Sequence, residues 1–579
     1  MSGIDGFSLV DDPDDPAKGT LDRVDVSDQS FETAIRVKTD TEPSRLWDVM
    51  LSALNETDIE TNDTLLATFS ARCVEPPEDS SECRFSFYFQ EAESPCTRST
   101  VFPVRVGENW TRFAHPFLSL ISYAAREGAA IIMLGYPAQT VEIADFSLQD
   151  FGDTKEIGVL ENTPFTYEGR EEDASWRTAA EERIEQYRKG DLVVQVEDAS
   201  GKPVSGASVS VEMTRHAFGF GTALDTDALR CHMKDDTVTR YTDVIQSLFN
   251  TVVFENTLKW PALEEEWGEE LGLDTAIWGI DWADDLNLDT RGHALVWPGW
   301  DNLPASIESA YDDRLADDGE EAAKTYLRQA VEDHVQSTVS SLSGRLDHWD
   351  VLNEPYDNHD LMDILGRDAM LDWFNIARSE DSNAKLFVND YSIIAPKTTY
   401  SASRKNLIDT LDFLIENDAP VDGIGVQAHF QGDLTEPDRV LEILDELAAF
   451  DREIWITEFD ISDATDDLSG DYTRDFLTAL FSHPKVGGFV FWGFWDGAYY
   501  GDSAPLYNSD WSEKPAAKAY KELLDKWHTS AQGVSDDDGR FTTSGFFGDY
   551  EIAVKVDDTP HTTSFQLTQD ETTAIVVIQ

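Results

Sequence analysis

The chain has 579 residues, with 113 Asp and Glu against 44 Lys and Arg and a formal net charge of −69. So acidic a protein repels polyanions, which excludes nucleic acid and an anionic membrane as partners. Aromatic residues make up 11%, among them 16 Trp. That share argues against disorder and for a folded protein with an acidic coat, of the kind suited to molar salt, where the Debye length shortens to roughly 3 Å.

The length calls for about two to four domains. No apolar run is long enough for a membrane span. Met1-Ser2-Gly3-Ile4-Asp5 shows neither a basic n-region nor an apolar h-region, so no signal peptide is read there. Residues 1–165 alternate with period two and are broken by turn residues, the pattern of an antiparallel β-sandwich. Cys83, Phe85, Phe87 and Phe89 fall on one face of a strand. In Val141–Leu148 the alternation slips by one residue, which predicts a bulge. Trp47, Trp110 and Phe113 are either core residues, the favoured reading, or part of a sugar-binding face, which gives this domain a carbohydrate-binding-like character. Cys73, Cys83, Cys96 and Cys231 lack metal-ligand spacing. No metal or cofactor is predicted, and the first three allow one disulfide.

Residues 166–214 read as a linker. It starts with an amphipathic helix carrying Ala180, Ile184 and Tyr187 and ending near Gly190. A hairpin of Leu192–Val196 and Ala207–Val211 follows. Over residues 215–528, apolar strands alternate with helical stretches such as Thr237–Leu248 and Ala322–Ser341. The strands are expected at Phe218–Thr222, Thr251–Phe254, Thr290–Val296, Leu346–Leu352, Leu386–Asn389, Gly423–Ala428, Ile454–Thr457 and Gly488–Trp492. Repeated βα units of this kind predict an α/β fold, a (β/α)8 TIM barrel. Residues 529–579 are expected to form a small separate β-domain, with Phe546–Val554 and Ala574–Ile578 as strands.

Two strands end in carboxylates. His348-Trp349-Asp350-Val351-Leu352-Asn353-Glu354 stops at Pro355, which cannot continue the ladder, and Ile454-Trp455-Ile456-Thr457 runs into Glu458. Burying an acid after an apolar run is costly without a purpose. Other strand ends carry Glu255, Asn256, Lys259, His293, Trp297, Asn389, Asp390, Gln427, His429 and Trp492. Amides, imidazoles and amines that bond hydroxyls, set beside indoles that stack on sugar rings, describe a carbohydrate site on one barrel rim.

Five ordered stretches resemble glycoside hydrolase family 10, the endo-β-1,4-xylanase family. They are Phe254–Trp260, Arg291–Trp297, Trp349–Glu354, Gly425–His429 and Ile456–Asp460. The resemblance implies retaining hydrolysis of xylan or xylo-oligosaccharides, with Glu354 as acid/base and Glu458 as nucleophile. Retention needs carboxyl groups roughly 5–5.5 Å apart. It also implies that His429 sits against the nucleophile with Asp460 orienting it, and that Asn353 bonds the sugar 2-hydroxyl. Glu255, Asn256, Lys259, His293, Trp297 and Gln427 would hold the non-reducing side, Trp492 would be a sugar platform, and Tyr391 would line the leaving-group side. Two positions depart from the family pattern: Pro298 stands where many members have His, and Tyr499 and Tyr500 compete for one aromatic position. A related β-glycan as substrate and an inert sugar-binding barrel are the alternatives. A polymeric substrate implies an extracellular setting, although no signal peptide is read. Transfer from molar salt to dilute buffer is expected to cost structure and activity together, as followed by circular dichroism and sugar release. Full activity without added salt contradicts the salt-adapted reading.

Overall fold

The computed structural model describes residues 3–11, 19–41, 43, 46–77, 82–163, 166–395, 400–431, 434–462, 466–501, 503–556 and 559–578. They fall into two units, one of Met1–Phe165 with Pro396–Ala402, the other of Thr166–Ala395 with Ser403–Gln579.

In the first unit two five-stranded antiparallel sheets face each other. One has the spatial order Ser8–Asp11, Val49–Leu54, Gly128–Met133, Cys83–Glu91, Arg98–Val106. The other runs Gly19–Asp25, Thr33–Thr39, Gln139–Asp150, Thr64–Glu75, Thr111–Leu118. Phe85, Phe87 and Phe89 point into the core between them, with Phe69, Phe113, Val141 and Ile143 from the facing sheet. The register of Gln139–Asp150 against Thr64–Glu75 shifts between Ala144 and Ser147, where the bulge was expected, and Asp145 takes a φ of +51° there. Cys73 and Cys83 form a disulfide of S–S 2.05 Å, while Cys96 and Cys231 are free thiols. The three aromatics in question separate. Phe113 is core, Trp47 is exposed, and Trp110 is half-buried with the Arg72 guanidinium 5.1 Å from its ring centroid.

The second unit holds the barrel. Its strands are β1 (Gly219–Leu224), β2 (Thr251–Phe254), β3 (Asp289–Val296), β4 (His348–Asn353), β5 (Lys385–Asp390), β6 (Gly423–Val426), β7 (Glu453–Ser462) and β8 (Val486–Phe491). Each pairs in parallel with the next, and β8 pairs with β1 to close the ring. β7 runs past its expected end because Asp460–Ser462 pair with His429–Gln431. Trp455 fills the inside of the ring, and glycines make room for it. A Cβ on Gly219 would lie 2.2 Å from the indole, and one on Gly488 would lie 2.3 Å away. Above the indole, Arg291 is buried with its guanidinium 5.1 Å from that ring, and its Nη2 donates to Asp350 Oδ1 at 2.8 Å.

Two expectations on either side of the barrel are corrected. Lys189–Asp198 and Ser208–His216 do not form a hairpin. The first pairs with Arg540–Phe546 and Thr573–Ile578, the second with Ser530–Val534 and Gly548–Val556. Residues 189–216 and 530–578 thus build one module of a three-stranded and a four-stranded sheet, not a linker hairpin and a separate C-terminal domain. Leu192, Val194, Val209, Val211, Ile552, Val554, Ala574 and Val576 are its buried faces, which such short strands cannot cover alone. Phe546–Val554, expected as one strand, is broken into two at Phe547.

The helix before it, Ser175–Tyr187, is packed on the barrel helix Asp466–Ser482 and does not act as a free linker. Trp176 and Ala180 meet Ala479, and Arg177 clasps both oxygens of the buried Asp475 at 2.6 Å. Arg188 then donates to the carbonyls of Phe481, His483 and Val486, tying the segment to the start of β8.

Candidate active site

Glu354 directly follows β4, and Glu458 stands within β7, just past the stretch that pairs with β6. At Glu354 the backbone takes a φ of +51°, a region that residues with a Cβ rarely adopt and that marks sites where surrounding structure over-determines the chain. Its N–H donates to Asn389 O at 2.8 Å on β5. Side-chain donors converge on its carboxyl: Gln427 Nε2 on Oε1 at 2.8 Å, and Trp297 Nε1 and Asn358 Nδ2 on Oε2 at 3.0 and 3.3 Å. Burial and the charge of Glu458 hold Glu354 above the ordinary carboxylate range.

Glu458 is buried more deeply than the half-buried Glu354, yet its proton affinity moves the other way. Burial pushes it up, but the hydrogen bond from His429, the charges of His293 and His429 and the amide of Asn389 more than offset this, and it lies below the usual value. Asn389 Nδ2 donates to Glu458 Oε1 at 2.8 Å, and His429 Nε2 lies 3.2 Å from Oε2. On its other side His429 Nδ1 is 3.0 Å from Asp460 Oδ1. Burial favours the neutral ring, but Asp460 and Glu458 outweigh it and push His429 up to about 10. It is an imidazolium between two carboxylates.

The other expected residues fall around this pair. Lys259 Nζ donates to Asn256 Oδ1 at 3.1 Å, and Asn256 Nδ2 to Glu255 Oε1 at 3.2 Å. The ammonium sits 5.2 Å from the Trp297 ring centroid. Burial lowers Lys259 and raises Glu255, so each is less firmly charged than in water. His293 is buried against Asp350, 3.0 Å from Oδ2, and meets Trp492 edge-on at 5.3 Å. Trp492 is itself buried, and so packs as well as faces the site. Asn353 Oδ1 accepts from Asn389, while its Nδ2 is buried and has no hydrogen-bond partner. Tyr391 is half-buried beside Asp390, to whose Oδ1 its backbone N–H donates at 2.8 Å.

Sequence reasoning missed several contributors. Asn358 lies in a loop with no motif of its own. Thr457 Oγ1 donates to Asn389 Oδ1 at 2.7 Å and fixes which way that amide faces. The choice between Tyr499 and Tyr500 has no single answer, because both hydroxyls donate to Asp460 Oδ2, at 3.1 and 2.6 Å. Among the described residues, no group of three or more His, Cys, Asp or Glu is arranged to hold a metal ion.

The profile of glycosyl hydrolase family 10 matches residues 210–523, more than half of the chain. The chain belongs to glycosyl hydrolase family 10. Among similar proteins, the anti-sigma-I factor RsgI6 of Acetivibrio thermocellus is 34% identical over 382 residues, 66% of this chain and 47% of that protein. Endo-1,4-beta-xylanase 1 of Arabidopsis thaliana is 29% identical over 372 residues, 64% of this chain and 37% of that protein. The chain thus spans half or less of the length of these relatives. Xylanase 10B from Thermotoga petrophila RKU-1, solved with xylobiose, is 26% identical, with a TM-score of 0.45 over 54% of this chain and 94% of that one. For this family 10 chain, His429 is expected to hold both ring protons until the pH nears 10, as read from its nitrogen shifts by NMR. A ring that titrates near 6.5 contradicts the paired-carboxylate geometry.

Proposed function

We propose that this chain is a retaining endo-β-1,4-xylanase acting on xylan and xylo-oligosaccharides. The observation that carries the reading is a pair of carboxyl groups, one directly after β4 and one within β7 of a family 10 barrel, whose surroundings push their proton affinities in opposite directions. Such a split is what acid and nucleophile roles require. Glu458, ionised, attacks the anomeric carbon. The glycosidic C–O bond breaks, and the departing oxygen takes the proton of Glu354. Water then attacks the same carbon, giving its proton to Glu354, and the C–O bond to Glu458 breaks to restore the carboxylate. Once Glu458 is esterified its charge is gone, so Glu354 becomes a stronger acid and is ready as the base.

His429, backed by Asp460, keeps Glu458 ionised and its attacking oxygen oriented. The free Nδ2 of Asn353 would donate to the sugar 2-hydroxyl. A buried N–H without an acceptor costs about 1–3 kcal/mol, which a bound hydroxyl removes. Glu255, Asn256, Lys259, His293, Trp297 and Gln427 bind the non-reducing side, with Trp492 as the sugar platform and Tyr391 on the leaving-group side. Residues 1–165 serve as a carbohydrate-binding domain.

Glu458→Gln should abolish the release of reducing ends from xylan. Proton NMR of the parent reaction should show the β-anomer first, with the α-anomer growing in by mutarotation. Substantial turnover by the variant, or α-anomer first, overturns the mechanism. Removal of residues 1–165 should weaken retention on insoluble xylan while sparing turnover of soluble substrate. Unchanged retention contradicts the binding role.

A further inference from the structure

Among the donors on Glu354, Asn358 is held from both ends. Its Nδ2 reaches Oε2, the oxygen that also takes the Trp297 indole N–H, while Asn302 Nδ2 donates to Asn358 Oδ1 at 2.8 Å. An amide oxygen turned toward that carboxylate oxygen would be repelled, so both contacts agree on which way the amide faces. The backbone is arranged around it. The N–H of Asn358 donates to Glu354 O at 3.1 Å, that of Leu361 to Pro298 O at 3.1 Å, and that of Trp300 to Asp360 Oδ2 at 3.0 Å. Gly299 leaves the space the amide needs, since a Cβ there would lie 2.5 Å from Asn358 Oδ1. The Asn358 side chain thus joins two further contacts, Leu361 with Pro298 and Trp300 with Asp360, in stitching the loop after β3 to the turn after β4.

We propose that Asn358 is a positioning residue for the acid/base step: it holds Glu354 Oε2 beside the Trp297 indole and favours the carboxylate that accepts the proton of the attacking water. The proposal rests on the reading of Glu354 as the acid/base. A hydrogen bond to the ionised form stabilises it, and so acts against the burial that favours the neutral acid. The other charged or titratable groups facing Glu354 are Glu458 on β7, His293 on β3, Lys259 after β2 and Asp390 at the end of β5, which itself faces Asp357. Glu458 is a like charge that favours the protonated acid. Lys259 and His293 act in the opposite sense, but both have other partners, in Asn256 and Asp350.

The test uses full-length Asn358→Leu and Asn358→Asp, compared with the parent after thermal melts show each variant folded at the assay temperature. Loss of the donor favours the protonated acid, so the basic limb of kcat/KM should move to higher pH. Asn358→Asp should move it further by adding a like charge. With an aryl xylobioside carrying a good leaving group, where breakdown of the glycosyl-enzyme limits turnover, kcat should fall about three- to tenfold, the scale of one lost hydrogen bond of ordinary strength. Superimposable pH profiles for parent and both variants overturn the proposal. Glu354→Ala separates it from the underlying reading. That variant should lose the basic limb and regain turnover of the activated substrate with added azide. If it keeps the parent's limb, the acid/base assignment itself falls, whatever Asn358 does.

Discussion

Two carboxyl groups in one buried pocket cannot both carry charge without compensation, because their repulsion and the loss of hydration add in a low dielectric. The barrel resolves this by treating them unequally. Glu458 faces a cation, the His429 imidazolium, whose far side rests against Asp460, and it takes a further amide hydrogen bond from Asn389. The hydrogen-bond donors on Glu354 among the described residues, Trp297, Gln427 and Asn358, are neutral. The nearer charge wins: Glu458 holds its proton less firmly than an ordinary carboxyl, and Glu354 more firmly. Asp460 is held in turn by the hydroxyls of Tyr499 and Tyr500, whose own ionisation burial and Asp460 suppress, so they remain donors.

That inequality needs a frame in which side chains from different strands hold their positions. The ring supplies it by close packing. Trp455 occupies the space left by glycines on β1 and β8, and Arg291, Asp350 and His293 carry a chain of buried polar contacts from the interior to the rim. The segment before the barrel reinforces β8 through Arg188, which satisfies three carbonyls where the preceding helix gives way to the strand. Positive φ at Glu354 and Ala428 turns the chain at the ends of β4 and β6, beside the residues that meet at the pocket.

Much of this was legible locally. The runs His348–Asn353 and Ile454–Thr457 are apolar enough to predict strands, and Pro355 marks where the first must stop. The bulge near Ala144 showed as a slip in alternation. What stayed hidden is pairing across long separations. Nothing within Lys189–Asp198 says that its neighbours come from residues 540–546 and 573–578, since alternation specifies a buried face and leaves the partner open. The helix Ser175–Tyr187 likewise showed its apolar stripe but not the surface it would meet. Asn358 and the two tyrosines lie in loops, where no periodicity announces a side chain's direction.

By itself, then, the amino-acid sequence determined the period of each element, the acids and amides at the strand ends, and a strongly acidic balance of charge. These follow from properties of neighbouring residues. Only the tertiary structure decided which of 113 acids share a pocket and which of the pair binds its proton more tightly. Proton affinity depends on burial and on charges a few ångströms away, and those charges arrive from strands a hundred residues apart.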